Sequence, residues 1–371
     1  MATPIRILHV LQRMEAGGTQ ALLMNLYRKI DRTKVQFDFF VEYLDREFYD
    51  DEIEKLGGKI YYNNVRKDKN IIKFERNLEK VLKSGKYKII HVHAYTIGYF
   101  VLKVAKKYGV PVRIAHSHEN ETVRDAKYPM KLIMQKLYPI YATDYMACSD
   151  DAGKYLFKKR DYSVLKNAID TKKFTFNKEI RKQVREKLRL QNKFVVGNVG
   201  RLYPEKNQKF LIEIFNNIHN KIKNAVLIII GNGPLKMDLL KQVRELGLED
   251  SVIFLENRRD INELEQAFDV FIFPSLFEGL GIAAIEAQAA GIPTLCSTNV
   301  AKDAKISPLY NEQSLEVDPK IWSDQAIEIS RNTLAHTNTE KYVVDSGYDV
   351  SETVRWVTEF YIEKYNKVTL N

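Results

Sequence analysis

The chain is predicted to be an α/β protein built from two doubly wound parallel-sheet domains. Three observations carry this expectation. Short apolar runs alternate with amphipathic helical patterns along nearly the whole sequence. That alternation lapses once, into the polar stretch LKNAIDTKKFTFNKE at 165–179. A length of 371 residues also suits two domains of ordinary size.

In the first half the apolar runs are IRILHVL, VQFDFFVEY, KIIHVH, VRIAHS and DYMACS. Amphipathic segments such as TQALLMNLYRKI and IGYFVLKVAKKYG separate them. In the second half FVVGNVG, AVLIIIG, SVIFL and DVFIFP alternate with NQKFLIEIFNNIH, LKMDLLKQVREL and INELEQAF. Runs this continuously apolar suit strands covered by helices on both faces. The expected domains are residues 1–170 and 171–350. The last helical pattern, SETVRWVTEFYIEKYNK (351–367), carries large apolar residues that must pack on something, and the first domain is the expected partner. In open parallel sheets ligands bind beyond the carboxyl ends of the strands, so two such domains facing one another across a cleft would line it with both sets of strand ends.

Composition narrows the class. Apolar residues make up 45% and charged residues 29%, as in a water-soluble globular protein. No stretch is long enough to span a bilayer, and MATPIRILHVL, interrupted by Arg6 and His9, reads as a first buried strand and not as a signal peptide. Cys148 and Cys296 lie far apart without metal-ligand spacing and fit a reducing cytoplasm. The net charge of +10 is uneven: residues 1–175 hold 33 Lys/Arg against 21 Asp/Glu, and the remainder 25 against 27. The basic excess is densest at 66–88, with nine Lys/Arg against three Asp/Glu. A solvated helix face accounts for any single lysine there. The asymmetry between halves points to an anionic partner, either membrane headgroups or a phosphate-bearing acceptor. No nucleic-acid-binding motif is present, so nucleic acid is not an expected partner. A second membrane candidate is YPMKLIMQKLYPIY (128–141), which sets Met130, Ile133, Met134, Leu137 and Tyr138 at helical spacing beside Lys131 and Lys136. The alternative is that this stripe belongs to the core.

The chemistry-bearing residues gather at predicted strand ends. In FEGLGIAAIEAQAAGIP (277–293) a glycine-containing loop joins the strand DVFIFP to a helix of small residues that stops at Gly291-Ile-Pro293. Glu278 falls in the loop and Glu286 on the second helical turn, where it interrupts an apolar face and needs a polar partner. A helix cap plus a surface glutamate is the bland alternative. Gly279 and Gly281 allow backbone N–H groups to approach a ligand. GRLYPEKN (200–207) follows the strand FVVGNV, and Arg201 and Lys206 flank a proline turn from which both cations can reach one anionic group. An exposed salt-bridged turn would look the same. GNGP (231–234) is not a dinucleotide fingerprint, because Lys236 stands where the third glycine belongs. In the first half Gly17-Gly18 opens a helix beside Thr19, and histidines end two strands in HVH (91–93) and HSHE (116–119). Those spacings suggest metal, yet neither an HExxH helix nor a cysteine set accompanies them; the expectation is a polar cleft floor without a metal ion.

The GGT loop, GRLxxxKN and E-x7-E after a strand, in this order along the chain, resemble the retaining glycosyltransferases of family 4, whose fold is GT-B. HSHE, YATDYMACSDDAGKYLF and NAIDTKKF resemble its bacterial exopolysaccharide and capsule subgroup. The resemblance runs through nearly the whole chain and is weakest at 299–350. It implies a cytoplasmic enzyme at the inner face of the membrane that moves a sugar from a nucleotide-sugar, a UDP-sugar above all, to a lipid-linked saccharide, with no cofactor and no metal. Arg201 and Lys206 would hold the donor diphosphate and Glu286 its ribose. Gly200, Gly231, Asn232, Gly233, Asn257 and Arg258 would frame the rest of the nucleotide. Glu278, Gly279, Leu280 and Gly281 would surround the sugar and phosphate. Gly17, Gly18 and a cleft histidine, either His116 or His118, would complete the site, while Thr19, Gln20, His93, Tyr95 and His118 would meet the acceptor. A glycosidase would need its two carboxylates facing one another across the sugar, which a ribose-bound Glu286 would not do. A nucleotide-sugar epimerase of the same fold, or a non-catalytic sugar-nucleotide-binding protein, would share these residues.

Overall fold

The apolar runs of the first half become parallel strands in a computed structural model that describes residues 3–85, 87–118, 128–256 and 258–369. With two further short strands, the third and the last, they give β1 (Ile5–Leu11), β2 (Val35–Val41), β3 (Ile60–Tyr62), β4 (Ile89–Val92), β5 (Val112–Ser117), β6 (Asp144–Ala147) and β7 (Ser163–Val164). They pair in the order β3-β2-β1-β4-β5-β6-β7. The second half supplies β8 (Phe194–Val199), β9 (Ala225–Ile230), β10 (Val252–Leu255), β11 (Val270–Phe273), β12 (Thr294–Ser297) and β13 (Tyr310–Gln313), in the order β10-β9-β8-β11-β12-β13. The fold is GT-B, with two doubly wound parallel sheets, each in its own unit. One unit comprises 1–169 and 350–371, the other 170–349.

Strand order reverses beside β1 in the first sheet and beside β8 in the second, so the β1–β4 and β8–β11 junctions are the two topological switch points. One face of the first sheet is covered by helices Ile71–Gly85 and Tyr95–Lys107. The other is covered by helix Gly18–Lys29 and by helix Val350–Thr369, which buries Val350, Val357 and Tyr361 completely. Val357 and Tyr361 are one helical turn apart, which puts both on the face that meets the sheet. In the second unit helices Gln208–Lys221 and Pro319–Ile329 pack together on one side, with Trp322 fully buried between helix and sheet.

Strands β3, β7, β12 and β13 carry no apolar-run signal in the sequence. β3 and β12 are short, and β13 reads YNEQ, an edge strand with little to bury. The apolar stripe of 128–141 divides. Helix Tyr128–Leu137 has no buried residue, with Met130 50% and Ile133 55% exposed. Tyr138, however, is core: its ring is fully buried and its hydroxyl donates to the Val92 carbonyl at 2.6 Å. In the basic segment Lys73 pairs with Asp68 and Lys83 with Glu79, both at 2.6 Å, while Lys80 is exposed. Lys86 lies outside the described residues. No helix among the described residues is long and apolar enough to cross a membrane.

Candidate active site

At the β8–β11 switch point two loops meet. The loop after β8 starts at Gly200, whose N–H donates to Ile230 O at 2.9 Å, and Leu202 N donates to Asn232 O at 2.9 Å, so the GRL and GNG turns are stitched together. A Cβ on Gly231, at φ +156°, would sit 2.0 Å from Gly200 O, so only glycine allows this approach. Asn232 and Gly233 continue the turn, Asn232 Oδ1 accepting from the Gly233 N–H at 2.7 Å. Asn207 ends the loop in the left-handed region and donates to Pro274 O at 3.1 Å, tying it to the loop after β11.

Across that seam the ammonium of Lys206 forms an ion pair with Glu278, and the Ser275 hydroxyl donates to the same carboxylate oxygen at 2.9 Å. Both side chains are mostly shielded, 17% and 10% exposed. Arg201 is different: it is 46% exposed, 3.6 Å from Glu205, with its guanidinium 4.9 Å from the Tyr203 ring. The two cations predicted to share one anion therefore have separate carboxylate partners. Gly279 follows Glu278, Leu280 is buried, and Gly281 starts the helix Ile282–Ala289 from φ +80°, a backbone conformation that side chains rarely adopt.

Glu286 sits on the second turn of that helix between the fully buried Ile285 and Ala287. Burial pushes its carboxyl up to about 8. Sequence reasoning missed its neighbour. Glu265, in the short turn before β11, is wholly buried, and neither carboxylate oxygen has a hydrogen-bond partner among the described residues. Burial first, and the charge of Glu286 second, hold Glu265 well above the ordinary carboxyl range. Two carboxyls that interact in this way resist ionising together. The only sequence signal was a glutamate inside the apolar pattern LEQAFDVF. Arg258 is held by Asp260 through Nε at 2.8 Å, and Asn257 lies outside the described residues.

The first unit's switch point is lined differently. Gly17 caps helix Gly18–Lys29 in an extended conformation with no side-chain cap, leaving first-turn amides available to an anion. Thr19 and Gln20 stand in that turn, and Gln20 donates to Arg13 O at 2.8 Å. Tyr95 opens the helix after β4, and its hydroxyl donates to Lys131 O at 2.7 Å. His93, His116 and His118 do come together, joined by two residues that sequence reasoning did not place with them, His9 and Tyr361. His9 Nδ1 lies 3.1 Å from His93 Nε2, and His93 Nδ1 lies 2.8 Å from His118 Nε2. His116 Nδ1 is 3.0 Å from His91 Nε2, and His91 Nδ1 is 2.7 Å from the Tyr361 hydroxyl. Burial holds all five imidazoles below the usual histidine range, His9 and His118 at about 3. Their signal was alternation: His9, His91, His93, His116 and His118 occupy same-face positions of adjacent parallel strands.

Two switch-point sites on two doubly wound sheets define a protein of the GT-B class. The family profiles described as Glycosyltransferase Family 4 and Glycosyl transferases group 1 match residues 16–173 and 179–303. The chain is 32% identical to the putative glycosyltransferase EpsF of Bacillus subtilis over 94% of each sequence. It is 30% identical, over 68% of each, to the UDP-Gal:alpha-D-GlcNAc-diphosphoundecaprenol alpha-1,3-galactosyltransferase of Escherichia coli. The fold matches that of Anabaena HepE, solved in complex with UDP-glucose, with a TM-score of 0.80 over 97% of this chain and 100% of that one at 18% identity. The chain belongs to glycosyltransferase family 4, and it is a glycosyltransferase.

Proposed function

We propose that the chain transfers a sugar, with retention of anomeric configuration, from a UDP-sugar to a lipid-linked saccharide during exopolysaccharide or capsule assembly. The observation that carries this reading is the paired loops of the second unit, where Lys206 and Glu278 meet and Glu286 lies on the adjoining helix. Support for the donor and acceptor classes comes from the galactosyltransferase relative, whose name specifies UDP-Gal and a diphosphoundecaprenol-linked sugar.

In this reading the diphosphate enters beside Arg201 and Lys206. As the glycosidic bond to phosphate breaks, negative charge grows on the leaving oxygen, and fixed cations stabilise it more than they stabilise bound donor. Lys206 exchanges part of its contact with Glu278 for phosphate, which frees Glu278 to accept from a sugar hydroxyl. Glu286 accepts from the ribose. The acceptor hydroxyl attacks from the face the diphosphate leaves, and a donor phosphate oxygen takes its proton. Two fixed cations supply the charge that a Mg or Mn ion would otherwise provide on the diphosphate.

The test is incubation of the protein with a panel of UDP-, GDP- and ADP-sugars, with and without a saccharide-diphosphate-lipid acceptor. The expected result is one UDP-sugar consumed only with acceptor, giving a product of the donor's anomeric configuration by NMR. Interconversion of sugars without acceptor would establish an epimerase instead. Donor binding with no turnover on any acceptor would establish a sensor.

A further inference from the structure

Five of the seven histidines converge at the carboxyl ends of β1, β4 and β5. We propose that His93, His116 and His118 form a three-imidazole site for a divalent ion of the zinc, cobalt, nickel or copper class. One ring nitrogen from each lies within 4.8 Å of the other two. Three neutral nitrogens with a fourth position open is the donor set of an open tetrahedral site. This site does not depend on how the second unit holds its donor.

The hydrogen-bond pattern assigns which nitrogens face the ion. His116 Nδ1 is taken by His91, whose own Nδ1 is taken by the Tyr361 hydroxyl. With the proton on Nδ1 of each ring, His116 donates to His91, His91 donates to Tyr361, and His116 Nε2 becomes a bare lone pair. That Nε2 is buried and has no hydrogen-bond partner among the described residues. His93 Nε2 is taken by His9, which leaves His93 Nδ1 directed at His118 Nε2. Two imidazole nitrogens in that arrangement need either a proton or a cation between them. A tetrahedral ion with metal–nitrogen bonds of about 2.0–2.1 Å would hold them roughly 3.3 Å apart, so their 2.8 Å separation would open by about half an ångström.

The remaining features suit the same assignment. His9, His91 and Tyr361 are fully buried or nearly so and act as positioning residues, fixing ring orientation and tautomer as outer partners of metal ligands do. Among the described residues His93 and His118 are the less buried members of the group, while His116 is 1% exposed. Every donor in this group is an imidazole. Such a set selects the later transition metals over Mg, Ca or Mn, which prefer oxygen. Neutral ligands leave the ion's double charge uncompensated, so the fourth position attracts hydroxide or an anionic oxygen.

The experiment is a Co²⁺ titration of the full-length, chelator-stripped protein, followed by visible absorption, with Zn²⁺ as competitor and melting temperature as a second readout. The expected result is one equivalent of Co²⁺ with the ligand-field bands of a four-coordinate ion, displaced by Zn²⁺, and a rise in melting temperature with either metal. His116→Gln and His118→Gln should each abolish the bands, and Tyr361→Phe should weaken binding roughly 10–100-fold. His219→Gln, on a helix of the other unit, should change nothing. Should the histidine variants fail to fold, the wild-type titration still decides: no bands and no thermal shift with Co²⁺ or Zn²⁺ would overturn the site, leaving a metal-free hydrogen-bonded cluster. Unchanged bands in folded His118→Gln and His116→Gln proteins would overturn its location.

Discussion

Lys206 and Glu278 stand 72 positions apart in sequence yet form a shielded ion pair that Ser275 extends through its hydroxyl. In the proposed reaction this pair is a poised contact: the lysine is held where a phosphate would arrive, by the carboxylate that a sugar would then occupy. Arg201 is more exposed and its carboxylate contact is looser. The two cations should therefore separate under mutation. Arg201→Ala and Lys206→Ala are each expected to cost roughly 2–4 kcal/mol in kcat/KM. Only Lys206→Ala should also lower stability, by about 1–3 kcal/mol, because it strands a mostly buried carboxylate. Urea denaturation and steady-state kinetics on the two variants and on Lys206→Ala/Glu278→Ala provide the check, and the double variant should recover part of the lost stability. Near-normal kcat/KM in both single variants would remove the phosphate assignment.

The interacting carboxyls of fully buried Glu265 and part-buried Glu286 predict a trade between stability and binding. A carboxyl raised in the folded state binds more protons there than in the unfolded chain between its ordinary value and its folded one. Stability is then fully present at low pH and declines as pH rises from about 4.5 to about 8. Glu286→Gln removes that penalty, so it should be more stable than the parent at pH 8–9, by on the order of 1–2 kcal/mol. At pH 8–9, where the carboxyl is ionised, the same change should weaken UDP binding by calorimetry, since the amide loses a charge-assisted contact to the ribose. Unchanged UDP affinity would place Glu286 off the ribose.

Turnover should not require Mg or Mn. Initial rates with either ion withheld and then restored are expected to agree, because Arg201 and Lys206 already carry the charge on the leaving group. A rate that appears only on adding Mn would show that the diphosphate needs an oxygen-preferring ion.

The first unit should bind anionic membranes. Exposed Met130 and Ile133 supply an apolar contact, and Lys80 and Lys83 belong to the basic segment. Each cation near an anionic surface contributes on the order of 1 kcal/mol and is screened by salt. The protein should sediment with phosphatidylglycerol vesicles at low salt and be released at high salt. Charge reversal at Lys80 and Lys83, or Met130→Ser with Ile133→Ser, should reduce sedimentation while leaving UDP affinity intact. Equal sedimentation with neutral vesicles would remove the electrostatic component.

Much of the fold was legible because both sheets are buried on two faces, so their central strands read as apolar runs. Edge strands such as YNEQ at 310–313 were not, since a strand with little to bury leaves no hydropathy signal. The strand–loop–helix around Glu278 and Glu286 was readable from its glycines and small residues. What could not be read was pairing at a distance. That Lys206 meets Glu278, that Glu265 lies near Glu286, and that Tyr361 reaches His91 are all products of strand order and helix docking. The stripe at 128–141 shows the same limit: its period predicts one continuous face, but Tyr138 turns into the core where the α-helix tightens into a 3₁₀ turn.

Helix Val350–Thr369 belongs to the first unit although it follows the whole of the second in sequence. On the ribosome, sheet β1–β7 therefore emerges with one face covered only by helix Gly18–Lys29, its histidines and Phe37 lacking the cover that Tyr361 later supplies. Residues 170–349 arrive as an uninterrupted piece and can mature first. The earliest-made half of the molecule is thus the last to be finished. A nascent chain stalled shortly before position 350 should hold a protease-resistant second unit beside a first one still open to cleavage.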